Sequence, residues 1–475
     1  MKHDHVLVLG GGFAGLSAAI YLARAGKQVT LLEQHSQLGG KAQEISAEGF
    51  RFDTGPSVFT MPEVLRDIFR DAGKPMPLVL EPLEPLCRYF YPSGRVWDVH
   101  NDLNKTTAPL SPAEREAYVA LRAEARKLYK AAAPTFLFNH APDLSALLRY
   151  GLRYGRAAHP RRRLPQLLEH FGASPELQQF FLRFATYFGA DPYRAPAVLH
   201  NIAWVELGMG VYYPQGGIYA VVQALEQLAR QLGVTILTNT QIERLEVHSG
   251  LIDYVHSNQG SFAAHTIVSA LDIVRSHQLL GKRAPQARLE PSLSGFVLLL
   301  GLEGESPELS HHNISFSADY PAEFRAIAQG QVSPEPTLYL SISSKSQPQD
   351  APAGCENWFV MANAPANAPG AYWTAEQEQA YAERMLECLE ARGHRVRERI
   401  RYQHILSPNH LAKLAHRGSI YGSAPHSLLS TLRPKQRLWG IDNLILAGGS
   451  VHPGGGIPLA LLSGKYAAQL ALESA

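Results

Sequence analysis

An α/β fold is predicted for this chain of 475 residues by three observations. A continuous apolar run at 5–9, typical of a buried strand, is followed at once by a glycine-rich turn and a helical pattern. The same succession returns near the C-terminus, after the apolar run at 443–447. Short alternating stretches between these ends are typical of further strands. Together they predict a Rossmann-like nucleotide-binding domain that is discontinuous in sequence.

The composition excludes several classes of protein. Apolar residues make up 45% and charged residues 18%, so disorder, collagen and coiled coil are excluded. The 44 basic and 42 acidic residues nearly cancel, so nucleic acid is not an expected partner. No apolar run is long enough to span a bilayer and no signal peptide is recognisable, so a cytoplasmic protein is expected.

Metal and disulfide sites are not expected either. The three cysteines, Cys87, Cys355 and Cys388, are far apart and lack CxxC spacing. Neighbouring histidines, such as His311 and His312, lack the helical i,i+4 pairing with an acid that would define a metal site. A reducing compartment and scattered surface histidines are predicted instead.

The first glycine cluster predicts a dinucleotide site. Gly10, Gly12 and Gly15 form GxGxxG between the first strand and a helix closed by Gly26. The second strand ends in Glu33, where the ribose hydroxyls of a dinucleotide need a carboxylate. Backbone N–H groups and the positive helix end would then meet the diphosphate with no Cβ between them.

The residues that follow carry a family resemblance. A second glycine pair precedes Lys41, and a D-x-GP motif begins at Asp53. Here the sequence resembles GR2-type FAD oxidoreductases, and more narrowly the phytoene desaturase family of carotenoid desaturases. The resemblance implies FAD as cofactor, with contacts from Gly40, Lys41, Gly55, Pro56 and Ser57. The family usually has Arg in place of Lys41, whose amine lacks the planar fork for a bidentate phosphate contact.

The C-terminal glycine run extends the resemblance. GGSVHPGGGIP at 448–458 is similar to the GxxxHPGxGIP of carotenoid desaturases, and most similar to their hydroxycarotenoid 3,4-desaturase branch. The following helix is predicted from Leu459 to the end, with Pro458 in its first turn. In such enzymes this helix start points at the flavin ring and stabilises negative charge on it. The implied contacts are Gly449, Ser450, Gly456, Ile457 and Pro458.

A basic amphipathic helix is predicted at 143–158. One face carries small and apolar residues, namely Leu144, Leu147, Leu148, Gly151, Leu152 and Gly155. Arg149, Arg153 and Arg156 project elsewhere, and three more arginines follow at 161–163. A solvated surface helix and a helix in an anionic lipid headgroup layer both fit this pattern. The resemblance favours the membrane, because the family's substrates dissolve only in lipid.

The patterns and the family resemblance together divide the chain into three domains, and the resemblance implies that the segment after Gly216 and Gly217 returns to the FAD-binding domain. Residues 1–75, 209–285 and 436–475 are predicted to form the FAD-binding domain, in which 234–237 and 242–247 pair as strands and Ile242 lies near the adenine by resemblance. Residues 76–208 are predicted to be a helical, membrane-associating subdomain. Residues 286–435 are predicted to form a substrate domain with a mixed or antiparallel sheet.

An aromatic-rich stretch around 180–213 has two interpretations. Such density is typical of ordinary core, and it also suits the wall of a long apolar tunnel for a flat polyene. The polar candidates for catalysis nearby are Arg194 and Glu206, together with His452 in the flavin-facing loop. His452 could accept a proton, bind a terminal hydroxyl or fix the glycine loop, and an Arg–Glu pair could be purely structural.

The resemblance implies an FAD-dependent carotenoid desaturase that introduces double bonds into an acyclic carotene by hydride transfer to flavin. The 3,4-desaturation of a 1-hydroxycarotenoid is the leading hypothesis, and phytoene desaturation is the alternative. Polyene isomerisation and a non-catalytic lipid escort are further alternatives. The expected partners are a lipophilic carotenoid, an anionic membrane surface and oxygen or a quinone as electron acceptor.

Overall fold

The computed structural model describes residues 5–263 and 265–473. The strands of this part of the chain are β1 (His5–Leu9), β2 (Gln28–Leu32), β3 (Glu44–Ala47), β4 (Phe50–Asp53), β5 (Leu80–Pro82), β6 (Cys87–Phe90), β7 (Val96–Val99), β8 (Tyr212–Pro214), β9 (Thr235–Leu237), β10 (Ile242–His248), β11 (Leu251–Ser257), β12 (Gly260–Phe262), β13 (Thr266–Ser269), β14 (Ser294–Glu303), β15 (His312–Ser315), β16 (Leu338–Ser341), β17 (Cys355–Ala364), β18 (Ile400–Leu406) and β19 (Leu444–Leu446).

The helices of the same part of the chain are α1 (Phe13–Arg24), α2 (Pro62–Asp71), α3 (Leu103–Thr107), α4 (Pro112–Phe136), α5 (Leu144–Tyr154), α6 (Leu164–His170), α7 (Pro175–Leu182), α8 (Asn201–Leu207), α9 (Gly217–Gln231), α10 (Ile273–Leu279), α11 (Tyr320–Ala328), α12 (Ala375–Ala391), α13 (Pro408–Ala412) and α14 (Ile457–Glu473). None of them is both long enough and apolar enough to cross a bilayer.

Both ends of the chain meet in one parallel sheet of five strands, in the order β19-β13-β1-β2-β9. The predicted discontinuous α/β domain is therefore confirmed. Helices α1, α9 and α14 pack on one face of this sheet around an apolar core. The carboxyl ends of β1 and β19 lie at the same edge of the sheet, which brings the two glycine-rich turns together.

The predicted pairing of 234–237 with 242–247 is wrong. Strand β9 extends the parallel sheet beside β2, whereas β10 pairs antiparallel with β11. The turn between β10 and β11 holds Ser249 and Gly250, both with positive φ. Two such residues make the tight turn that suits the twist of a hairpin, so β10 turns back on β11.

The second sheet has seven strands in the order β18-β14-β17-β16-β15-β6-β7 and is mixed, since β15 and β6 run parallel. Its central strands come from the predicted substrate domain. The hairpin of β6 and β7 comes from the segment 76–208, which was predicted to be helical, so this sheet combines strands from 76–208 and from 286–435. A local pattern predicts a strand but not the sheet that the strand joins.

Candidate active site

A cavity of about 1450 Å³ joins the two glycine clusters. Gly12 at the end of β1 and Gly456 before α14 both line it. The cavity continues between helices α4, α5 and α8 on one side and strands β14, β16 and β17 on the other. One site therefore has room for an extended nucleotide and for a long apolar molecule beside it.

The first glycine cluster exposes the start of α1 to this cavity. Gly10 has φ of +95°, a conformation that glycine adopts without strain. Gly12 is the N-cap of α1 and gives the helix no side-chain cap, so the first N–H groups remain available to an anion. Gly15 does not line the cavity. A Cβ there would lie 1.9 Å from the Gly10 carbonyl oxygen, so this glycine lets helix and turn pack closely.

Glu33 lies at the end of β2, where the sequence predicts the ribose-binding acid, and lines the cavity. Its Oε2 accepts a hydrogen bond of 2.7 Å from the Gly11 N–H, and its Oε1 accepts one of 2.9 Å from the His35 N–H. Ile242 lines the same part of the cavity. The carboxylate is thus fixed beside the glycine turn with lone pairs left for a ligand.

The turns on either side of the β3–β4 hairpin form the next part of the wall. Gly40, Lys41, Gly55, Pro56 and Ser57 all line the cavity. The Lys41 Nζ donates a hydrogen bond of 2.6 Å to the Ile420 carbonyl, and burial lowers the pKa of this amine. A Cβ at Gly55 would lie 1.9 Å from the Lys41 carbonyl oxygen, so the two segments are in close contact.

The second glycine run also reaches the cavity. Its lining residues include the predicted contacts Gly449, Ser450, Gly456, Ile457 and Pro458. A Cβ at Gly455 would lie 2.0 Å from the Tyr421 ring, so only glycine fits there. The Ser450 hydroxyl accepts a hydrogen bond of 2.9 Å from the Ile273 N–H, which fixes the run against the start of α10.

His452 lines the cavity but its imidazole is already bonded. Its Nε2 lies 2.9 Å from the Asn139 carbonyl oxygen, and the Ser463 hydroxyl donates 2.8 Å to the His452 carbonyl. Burial lowers the pKa of the imidazole, so the ring is neutral at pH 7 and donates to the carbonyl. These bonds fix the glycine run, one of the roles predicted for His452.

The two other predicted polar residues have different surroundings. Glu206 is buried on the cavity wall, paired with Arg183, and accepts a hydrogen bond of 3.0 Å from the Tyr187 hydroxyl. Arg194 forms a bidentate pair with Glu290, at 2.6 and 2.8 Å, and is not among the residues that line the cavity. The structure therefore brings Glu206 to the site and leaves Arg194 outside it.

The sequence did not single out Arg183, and it offered Tyr187 only as one of the aromatic residues of core or tunnel wall. Arg183 is 3% exposed, and its guanidinium lies over the Phe184 ring at 4.0 Å. A charged residue inside so aromatic a segment was the available signal, because an arginine there needs a buried carboxylate partner. Each interpretation of the aromatic-rich stretch holds for part of it. Phe180 and Phe181 belong to the core, whereas Tyr187 and Phe188 line the cavity.

The comparisons with known proteins agree with this geometry. The sequence model of the family of flavin-containing amine oxidoreductases matches residues 13–472 of this chain. A 1-hydroxycarotenoid 3,4-desaturase of a Flavobacterium species is 32% identical over 98% of both chains. A 4,4′-diapolycopene oxygenase of a Methylomonas species is 33% identical over 98% of this chain and 97% of its own.

Solved structures show the same fold. An oxidoreductase from Methanosarcina mazei superimposes with a TM-score of 0.69 at 16% identity, over 97% of this chain and 99% of its own. Cyclohexylamine oxidase from Brevibacterium oxydans superimposes with a TM-score of 0.64 at 16% identity, over 99% of both chains.

Fold and site together define an FAD-dependent oxidoreductase. The chain belongs to the family of flavin-containing amine oxidoreductases, and its full-length relatives confirm the predicted resemblance to carotenoid-modifying enzymes. The residues present fit FAD, because the uncapped start of α1, the Glu33 carboxylate and the second glycine run all border one cavity.

Proposed function

We propose that this protein is a carotenoid desaturase that introduces a C3–C4 double bond into a 1-hydroxylated acyclic carotene. The observation that carries the proposal is that one cavity is lined both by the nucleotide-binding glycine turns and by mostly apolar side chains of α4 and α5. A polyene lying in that cavity would have one end beside the second glycine run. The 32% identity with a 1-hydroxycarotenoid 3,4-desaturase supports the choice of reaction.

The residues of this chain position the reactants and exclude water. The start of α1 and Glu33 would hold the diphosphate and ribose of FAD, and the start of α14 would stabilise negative charge on the ring. Bound FAD supplies a hydride acceptor. Phe188 and Tyr421 pack against the second glycine run and would keep a substrate carbon close to the ring. Misplacement of that carbon by about 1 Å can cost ~100-fold in rate.

Among the polar residues predicted for catalysis, we assign His452 and Glu206 to positioning. The His452 imidazole ties the second glycine run to the Asn139 carbonyl. Glu206 neutralises the buried Arg183 and holds the Tyr187 hydroxyl at the cavity wall. We assign no role in the reaction to Arg194, because its partner is Glu290 outside the cavity.

We propose that the protein binds a membrane surface through α5. Leu147 and Gly151 of this helix line the cavity, whereas Leu148 and Leu152 are 60% and 90% exposed. The arginines around them are exposed and would meet anionic headgroups, namely Arg149, Arg153, Arg156, Arg161 and Arg163. A carotene could then pass from lipid to cavity beside one helix. The electrons accepted by FAD would pass to oxygen or to a quinone.

Oxygenation is a second candidate, favoured by the 33% identity with a 4,4′-diapolycopene oxygenase. The test uses purified FAD-loaded protein on anionic vesicles that contain 1-hydroxylated, unhydroxylated or phytoene-type carotenes. Mass spectrometry then distinguishes a product that has lost two hydrogens from one that has gained oxygen. A protein that converts only phytoene, or that only adds oxygen, would refute 3,4-desaturation.

A further inference from the structure

Two hydroxyl groups meet at the end of the cavity formed by the second sheet. Ser57 follows the D-x-GP motif, and Tyr339 lies on β16. Their oxygen atoms are 2.8 Å apart, and both residues line the cavity. Around them the wall is formed by apolar side chains of β14 and β17, namely Val297, Phe359 and Met361. Asn363 of β17 and the Tyr187 hydroxyl, which is bonded to the buried Glu206, also line the cavity, so the pair is one of a few polar groups on a largely apolar wall.

His312 is a second hydrogen-bond partner of the Tyr339 hydroxyl. It lies on β15, next to β16, and its Nδ1 is 2.9 Å from the Tyr339 oxygen. The side chain is buried, and burial lowers its pKa well below the ordinary value, with His311 and Arg183 adding to the effect. The imidazole is thus neutral at pH 7 and acts as a hydrogen-bond partner rather than as a charge.

The Ser57 hydroxyl retains a free donor or a free acceptor in both arrangements of the protons that Ser57, Tyr339 and His312 share. If Tyr339 donates to His312, Ser57 donates to Tyr339 and retains both of its lone pairs. If His312 donates to Tyr339, Tyr339 donates to Ser57, and the Ser57 proton is free for a ligand. In both arrangements a group that can donate and accept, such as an alcohol, fits beside Ser57.

The other end of the cavity also offers hydroxyls. Under α5 its lining includes Ala132, Phe136, Leu137 and Leu147, none of which has a polar side chain. Tyr129 also lines this end, and its hydroxyl has no hydrogen-bond partner among the described residues. Tyr150 of α5 also lines this end, so each end of the cavity offers hydroxyls, and the position of the reacting carbons decides which end takes the substrate hydroxyl.

We infer that Ser57, with Tyr339 held by His312, binds the terminal hydroxyl of the substrate and so selects hydroxylated over unhydroxylated carotenes. This inference rests on the proposed function. In a 1-hydroxylated carotene the oxygen is only a few bonds from C3 and C4, so its binding site must lie close to the reacting carbons. Ser57 lines the same cavity as Gly456 of the second glycine run and directly follows the lining residues Gly55 and Pro56, which favours it over Tyr129.

The test compares wild type with Ser57→Ala and Tyr339→Phe as FAD-loaded proteins. Anaerobic reduction of the flavin prevents turnover, and equilibrium binding of a matched pair of carotenes, with and without the 1-hydroxyl, is followed by the shift of carotenoid absorption. We expect each variant to bind the hydroxylated carotene about tenfold more weakly and the unhydroxylated one unchanged. Tyr129→Phe removes a hydroxyl from the other end of the same cavity and should leave the preference intact.

Three results would overturn the inference: equal wild-type binding of both carotenes, an equal loss for both in the variants, or no loss for either. Flavin content shows whether each variant is folded. The proposed function is tested separately, by product analysis of the oxidised wild type. A wild type that desaturates carotenes but binds both members of the pair equally would keep the proposed function and refute the hydroxyl site. A wild type that desaturates neither, but binds the hydroxylated carotene more tightly and loses that preference in the variants, would refute the proposed function and support the hydroxyl site.

Discussion

Gly464 of α14 lies directly against the backbone of α1: a Cβ at position 464 would be 2.2 Å from the Ala14 carbonyl oxygen and 2.8 Å from the Ser17 Cβ. The Ser17 hydroxyl reinforces this contact by donating 2.7 Å to the Leu461 carbonyl. The two helices that begin at the two glycine clusters are thus locked together. Their N-termini keep a fixed separation at the cofactor site.

Gly464→Ala is expected to destabilise the protein by about 1–3 kcal/mol, because an added methyl group forces the two helices apart. Urea unfolding and the flavin content of the purified protein measure the effect. Gly151→Ala is the matched control, since nothing lies within 4 Å of the added Cβ in α5. Equal stabilities of the two variants would contradict the close contact.

The buried pair of Arg183 and Glu206 should matter more for stability than the exposed pair of Arg194 and Glu290. Glu206→Ala leaves a buried guanidinium without its carboxylate, at an expected cost of about 3–5 kcal/mol. Arg194→Ala breaks a pair at the surface, and a cost below about 1 kcal/mol is expected. Chemical denaturation of both variants measures the two losses in free energy of unfolding. A larger loss for Arg194→Ala would contradict the greater importance of the buried pair.

Glu33→Ala should weaken FAD binding by tenfold or more, because it removes both the ribose-binding acid and the acceptor for the Gly11 N–H. Fluorescence titration of the deflavinated protein with FAD measures the dissociation constant. Glu243→Ala removes an exposed carboxylate from β10 and serves as the control. An unchanged affinity in Glu33→Ala would place the ribose elsewhere.

His200 makes stability depend on pH. Its Nε2 lies 2.9 Å from the Leu121 carbonyl oxygen, and burial lowers its pKa from 6.5 to about 4. Between these values the unfolded chain binds a proton that the folded protein excludes, so stability falls as the pH falls below 6.5. The cost reaches roughly 3 kcal/mol at pH 4, at 1.36 kcal/mol per pKa unit.

His200→Gln keeps a donor for the Leu121 carbonyl but cannot titrate. Its stability relative to wild type is therefore expected to rise as the pH falls from 7 to 4. The difference between the two proteins isolates His200 from groups that act in the opposite direction, such as Asp53, whose pKa burial raises to about 6. The free energy of unfolding of both proteins is measured in urea at each pH. A constant difference between them from pH 7 to pH 4 would show that His200 is not the titrating group.

The α5 leucines offer a test of membrane binding. The double variant Leu148→Ser with Leu152→Ser should bind anionic vesicles at least tenfold more weakly, because two exposed apolar side chains no longer enter the lipid. Vesicle flotation measures the bound fraction. Leu289→Ser, at a residue that is 52% exposed outside α5, should bind as wild type does. Equal binding of all three proteins would exclude α5 as the contact.

Local chemistry explains what could be predicted from the sequence. A nucleotide-binding turn needs glycines at fixed spacing after a strand, so Gly10, Gly12 and the run before α14 could be located without coordinates. Glu33 was predicted for the same reason. The amphipathic pattern of α5 was also visible, because its helical periodicity is a property of neighbouring residues.

Contacts between distant segments could not be predicted. Glu206 pairs with Arg183 rather than with Arg194. The aromatic neighbours of Arg183 indicate that it is buried, but they do not identify its carboxylate partner. The hairpin of β6 and β7 joins a sheet whose other strands begin near residue 294. Tyr339 comes to face Ser57 only because that sheet packs beside the D-x-GP loop.

The parallel sheet has a consequence for biosynthesis. Its order places β19 at one edge beside β13, and β13 beside β1, so the last of the described strands lies one strand away from the first. At about 5–20 residues per second, a ribosome needs roughly 20–90 s to travel from β1 to β19. Throughout that interval the first glycine turn is present without the second, and α1 lacks its contact with α14. A cavity bordered by both glycine turns therefore forms only after β19 and the start of α14 have been translated.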